Sequence, residues 1–166
     1  MVVVPEIFLN YRQPEAYAAL ALDDRLSRIF GADSVFRASR SIALGRSFDS
    51  AILEAIANAR VMLVLIGPTW ARQLRSRVDA SGSRKLGWVE REIVTARDHE
   101  VPLVPVLMSN VRLLEKNLPD AFKELARLQY LRFGYRTADQ DAMAIARSLM
   151  DLVPTLKPRR SVSLED

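Results

Sequence analysis

The 166-residue chain has no cysteine and a single histidine, His99. The first absence removes disulfides, thiolate metal sites and cysteine nucleophiles. The second removes every mechanism that needs a histidine dyad or two histidine metal ligands. Any chemistry therefore falls to carboxylates, hydroxyls or a bound small molecule, and no metal site is expected. No apolar run approaches the roughly 20 residues of a membrane span. The opening MVVVPEIFLNY runs into polar sequence without a basic start or a small-residue cleavage site, so a cytoplasmic location is expected. Lysine is scarce: with only Lys85, Lys116, Lys123 and Lys157, arginine supplies most of the 24 basic residues set against 20 acidic ones. A net charge of +4 gives no ground for expecting a nucleic-acid partner.

What is present is a β-α-β-α-β alternation. Three short apolar runs, EIFLNY (6–11), VMLVLIG (61–67) and VPLVPVLM (101–108), are continuous rather than alternating, as in strands buried on both faces of a parallel sheet. SVFRAS (34–39) and QYLRF (129–133) read as two weaker strands. Helical spacing runs from Ala16 to Phe30, through Leu22, Leu26 and Ile29, and from Phe48 to Ala59, through Ile52, Ala55 and Ile56. A last amphipathic helix spans about 139–152, ended by Pro154 and Pro158. With right-handed crossovers this predicts a flavodoxin-like, doubly wound, five-stranded parallel sheet in the order 2-1-3-4-5, helices on both faces. One domain over residues 1–154 is expected, followed by a flexible basic tail or linker over 155–166. Pro102 and Pro105 fall inside the fourth strand, where a missing N–H predicts a bulge or a partly unpaired edge.

Ligands of such sheets sit beyond the carboxyl ends of the strands. The loops there carry no G-x-G-x-x-G and no phosphate-binding G-x-x-x-x-G-K-[ST]. Nor do they match a receiver domain, since Asn10, Tyr11 and Arg12 stand where its acidic pair would be and Ile66, Gly67 and Pro68 where its phosphorylated aspartate would be. In GWVEREIVTA (87–96), helical geometry puts Trp88 and Glu92 about 40° apart, with Val89, Ile93 and Ala96 on an apolar face roughly 100° from Trp88. Trp88 and Glu92 thus flank the core where a cleft would open, or else cap its edge as a packed ring and a helix-start acid. Glu90, about 160° from Glu92, is expected to face solvent.

Four boxes in order resemble the TIR domain, particularly its bacterial members, over about residues 5–153. IFLNYR (7–12) is similar to the family's F-I-S-Y-R, and SIALGRSF (41–48) to its D-I-x-x-G-x-x-F. VMLVLIGPTW (61–70) is similar to the third strand and its exit, and WVEREI (88–93) to W-x-x-x-E-[IL]. Asn10 stands where serine is usual and Ser41 where aspartate is usual. The resemblance implies an NAD+ glycohydrolase with Glu92 as its essential carboxylate, NAD+ being substrate and no cofactor being required. The substrate site is then read as Trp88, Tyr11, Arg12, Asn10, Trp70 and Phe48: Trp88 one turn from Glu92 as an aromatic wall, and Tyr11 and Arg12 at the end of the first strand for stacking and for a phosphate, or else as a packed strand-end residue and a surface arginine. Trp70 opens PTWARQLRSRVDASGSRKLG (68–87), a basic connection read either as a phosphate-contacting lid or as a solvated loop. Ile42, Ala43, Leu44 and Gly45 form the implied assembly loop, Gly45 being free to take positive φ. The partners implied are other TIR domains, in the effector part of a bacterial signalling or defence protein. A non-catalytic TIR scaffold and an unrelated flavodoxin-like nucleoside hydrolase or transferase are the competing readings.

Overall fold

The computed structural model describes residues 4–38, 44–75 and 87–159. Five parallel strands form one sheet in the order β2-β1-β3-β4-β5: β1 (Ile7–Asn10), β2 (Val35–Phe36), β3 (Val61–Ile66), β4 (Leu103–Met108) and β5 (Leu131–Phe133). The helices are α1 (Ala16–Phe30), α2 (Phe48–Asn58), α3 (Trp70–Arg75), α4 (Trp88–Asp98) and α5 (Ala138–Leu152). This is the doubly wound order expected from the sequence.

Strand alternation sorts the core into two layers. Ile7 and Leu9 of β1 and Val61, Leu63 and Leu65 of β3 pack with α1 and α5 through Leu22, Leu26, Ile145 and Leu149. Phe8 and Met62, Val64 and Ile66 pack on the other face with α2 and α4 through Ile52, Ile56, Ile93 and Ala96. All six side chains of β3 are at most 1% exposed, each large aliphatic contributing about 1.5–3 kcal/mol by its burial. Both faces being covered explains why β3 reads as one unbroken apolar run.

Pro105 produces no register break. The ladder from β3 runs evenly from Met62↔Leu103 through Val64↔Pro105 to Ile66↔Leu107. The Met62 amide donates to the Pro102 carbonyl, so by alternation Pro105 turns its donor-less nitrogen toward β5. That strand is paired with β4 from Val106 onward, so the ladder on that side begins just past the proline: β4 is partly unpaired toward β5, as expected, and no bulge interrupts its register with β3.

The link from β4 to β5, to which the sequence pattern assigned no element, carries an eight-residue 3-10 stretch, Asp120–Arg127, burying Phe122 and Leu125 three residues apart. Two expectations need correction. The second strand, expected over 34–39, is only Val35–Phe36. The carboxyl-terminal segment is not free from residue 155. Leu156 is 3% exposed in the α1–α5 layer, and the Arg159 amide donates to the Ile29 carbonyl at 2.8 Å. Arg159 lies over Gly31, whose φ of +100 ends α1. A guanidinium at a helix carboxyl terminus is also favoured by the helix dipole.

Candidate active site

β1 and β3 are adjacent, but the chain leaves β1 toward β2 on one side and reaches β3 on the other, so their carboxyl ends form the switch point. Asn10 ends β1, and alternation turns it toward the α2–α4 face. It is wholly buried. Its amide donates to the Val89 carbonyl at 3.2 Å and to Glu92 Oε2 at a long 3.4 Å. Asn10 thus spans from the strand end to the first turns of α4.

Glu92 is 9% exposed. Its carboxyl is pushed up to about 8, mainly because burial disfavours the charged form; the Asn10 hydrogen bond works against this, and the nearby Glu90 charge adds to it. One turn earlier, Trp88 is half-buried and meets Phe48, the first residue of α2, edge to face at 5.9 Å. Phe48 is itself half-exposed, and the Arg91 guanidinium lies 5.6 Å from the Trp88 ring. The structure therefore brings Asn10, Glu92, Trp88 and Phe48 together: a buried carboxyl with an open aromatic rim.

Other expected site residues are placed differently. Tyr11, just past β1, packs on the α1–α5 layer with Ile7 and Leu9, across the sheet from Glu92. Arg12, read as a phosphate partner, is buried with its Nη2 donating to Glu90 Oε1 at 2.6 Å and its guanidinium 5.4 Å from the Trp70 ring. Glu90 is wholly buried rather than facing solvent. Trp70, read as a lid residue, is 1% exposed in the α2–α4 layer. Of the assembly loop, Ile42 and Ala43 lie outside the described residues, as do 76–86 of the basic connection. Leu44 is fully exposed and Gly45 has φ +82.

Sequence reasoning missed Glu15 and Gly67. Glu15 is 4% exposed, and burial raises its pKa while the Arg12 charge opposes the rise. Its carboxylate lies directly over Gly67: a Cβ there would sit 1.6 Å from Oε1. A glycine at a strand exit marks such a close backbone approach, but nothing in the sequence names the partner. Asn10 Oδ1, Arg12 Nε, Glu15 Oε2, Trp70 Nε1 and Glu90 Oε2 are all buried without a hydrogen-bond partner among the described residues. Buried polar atoms of this kind are ordinarily met by water, an ion or a ligand, and these five belong to residues at the carboxyl ends of β1 and β3 and the elements that pack on them.

A doubly wound α/β protein with a buried carboxyl beside an aromatic rim at its switch point is the class this geometry defines. The family model for the TIR domain matches residues 7–149, and the chain belongs to that family. Its fold is similar to a metazoan TIR-STING receptor from C. gigas solved in complex with 2',3'-cGAMP (21% identity, TM-score 0.54). That match covers 87% of this chain but 40% of the receptor, so the chain spans less than half of that protein. The TIR domain of the Toll-related receptor TRR-2 from Hydra magnipapillata aligns at 15% identity and TM-score 0.58, over 90% of this chain and 98% of that one. The TIR domains of the activated Roq1 resistosome, which recognises the pathogen effector XopQ, align at 13% identity and TM-score 0.59, over 86% and 98%. At these identities the likeness is one of fold. No curated protein matches the chain. Among the described residues no helix is long and apolar enough to cross a membrane.

Proposed function

We propose that this TIR domain cleaves NAD+ at the bond between nicotinamide and ribose, releasing nicotinamide and ADP-ribose or a cyclic ADP-ribose, with Glu92 as the catalytic carboxylate. The observation that carries the reading is the surroundings of Glu92: buried, held up to about 8, and facing no cation among the described residues. Below that pH the resting side chain is mostly the neutral acid. A bound nicotinamide ring brings positive charge next to it and favours the carboxylate, so the substrate supplies the missing cation. Cleavage passes through an oxocarbenium-like state, which water captures with loss of a proton to give ADP-ribose, or a nucleophile on the adenosine part of the same molecule captures to give the cyclic product. Nicotinamide leaves neutral, and no acid has to protonate it. The carboxylate stabilises the positive charge that grows on the ribose and accepts hydrogen bonds from its hydroxyls. Trp88 and Phe48 offer the flat surface for a ring, and Asn10 steers the carboxyl from below.

NAD+ is a substrate in this scheme and no cofactor is needed. Self-association through the loop around Leu44 completes the proposal: a fully exposed leucine beside a positive-φ glycine is a contact residue looking for a neighbour. An effector role in a signalling or defence protein follows if such clustering is the trigger. The test is nicotinamide release from NAD+ by the wild type and by Glu92→Gln at high protein concentration or fused to an oligomeriser. Release lost in the variant supports the reading. No release from the clustered wild type would instead make the domain a scaffold that binds other TIR domains.

A further inference from the structure

The first turn of α4 is fastened to the end of β1 at two points. Asn10 reaches Val89 and Glu92, and two residues on, Arg12 reaches Glu90. The second fastening is almost wholly removed from water, with side-chain exposures of 5% and 1%. An apolar pair of the same shape often holds a fold at least as well as a buried ion pair, which turns attention from stability to direction. The guanidinium is confined on several sides: by the Glu90 carboxylate, by the Trp70 ring, and by the charge of Glu15, which is wedged over Gly67. Asn10, bonded to Glu92 at 3.4 Å, is too loose a contact to orient that carboxyl alone.

We propose that Arg12 and Glu90 are positioning residues, a buried pair that fixes the rotation of α4 about its axis and thereby aims Glu92 at the substrate. This rests on the reading of Glu92 as the catalytic carboxylate. Glu90 and Glu92 leave the helix about 160° apart, so a grip on one sets the angle of the other. With side-chain tips about 5–6 Å from the axis, a rotation of about 10° moves the Glu92 carboxyl by about 1 Å, and a misplacement of that size costs up to about 100-fold in rate. Among the described residues, Asn10 from β1 contacts Glu92, and the Glu90 charge on the far side of its own helix acts on it only at a distance; α2 presents Phe48 to the adjoining Trp88, while its acids Asp49 and Glu54 are exposed.

The experiment pairs the double variant Arg12→Met/Glu90→Leu, which removes both charges and leaves a packed apolar pair, with the single variant Glu90→Gln. The double variant is expected to lose on the order of 10–100-fold in kcat for nicotinamide release while KM for NAD+ holds. A wild-type kcat overturns the proposal, and so does a loss confined to KM, which would assign Arg12 to a substrate phosphate. The second readout is the NMR contact between the Glu92 side chain and the Asn10 amide, present in the wild type and weakened in both variants; a contact that persists unchanged in them also overturns the proposal. Because that signal is visible in a protein that does not cleave NAD+, failure of the catalytic reading and failure of the positioning role are told apart.

Discussion

Replacing Glu92 by glutamine should make the protein more stable, by an amount that grows with pH. The unfolded chain releases this proton near the ordinary value of 4.5, whereas the folded protein holds it to about 8. Between those values the folded state binds more protons than the unfolded one, so Glu92 lowers stability as pH rises through the window. Below 4.5 both states are protonated and the contribution is constant; above 8 it is constant again, at its most unfavourable. The slope is about 1.4 kcal/mol per pH unit, and the full window corresponds to about 5 kcal/mol, a ceiling that local rearrangement around the charged carboxylate reduces. The substituted amide does not titrate, and its oxygen still accepts from Asn10. Urea or thermal unfolding of both proteins at about pH 5, 6, 7 and 8 should show curves that diverge, Glu92→Gln gaining roughly 2–4 °C in Tm for each kcal/mol. All other titrating groups are common to the pair and cancel. Parallel curves, or a wild type that gains on the variant with rising pH, would refute a buried, cation-free carboxyl at this position.

The same proton appears in catalysis with the opposite effect: kcat/KM for nicotinamide release should rise with pH and level off near 8, while kcat, read with the cationic ring bound, levels off at lower pH. A rate falling over about pH 6 to 8 would contradict the role given to the carboxylate. Gly67→Ala puts a methyl on the Glu15 carboxylate and should cost about 1–3 kcal/mol in chemical denaturation, with much of the loss recovered in Gly67→Ala/Glu15→Ala; equal losses in the two would show that the clash lies elsewhere. Leu156→Ala should cost about 2–5 kcal/mol because the side chain lies in the α1–α5 layer, whereas a free tail from residue 155 predicts no change in Tm.

Where the sequence was legible, local physics sufficed. α1 is found over the residues whose spacing marked it, and β3 stands inside its apolar run, because a strand covered on both faces has to be apolar at every position. β2 is shorter than expected because alternation cannot show where a strand runs out of neighbour: its partner β1 offers only Ile7↔Val35 and Phe8↔Phe36. The 3-10 stretch before β5 was invisible for a related reason, since its three-residue spacing of Phe122 and Leu125 is shared with an α-helix. The site was half legible. Trp88 and Glu92 follow from helical spacing and the family box, and the separation of Asn10 from Tyr11 onto opposite faces follows from strand alternation.

Glu90 shows where such reasoning stops. Periodicity assigns faces by what is apolar and leaves a charged residue to the solvent, but the first turn of α4 is enclosed by more than one neighbour and buries two carboxyls pointing in nearly opposite directions. The cation that makes this tolerable for Glu90 lies 78 residues earlier in the chain, beyond the reach of any local pattern. The two glutamates differ in what meets them. Glu90 has a guanidinium at 2.6 Å, while Glu92 has, among the described residues, an amide at 3.4 Å and no cation. A buried carboxyl with a cation is a structural element; one without a cation weakens the fold whenever it ionises, and perturbed groups of this kind collect at functional sites. The family box points to Glu92 by its place after the tryptophan, and burial without a cation sets it apart from Glu90 by a separate route: in the function proposed above, a cationic ligand balances the charge that the folded protein leaves unpaired.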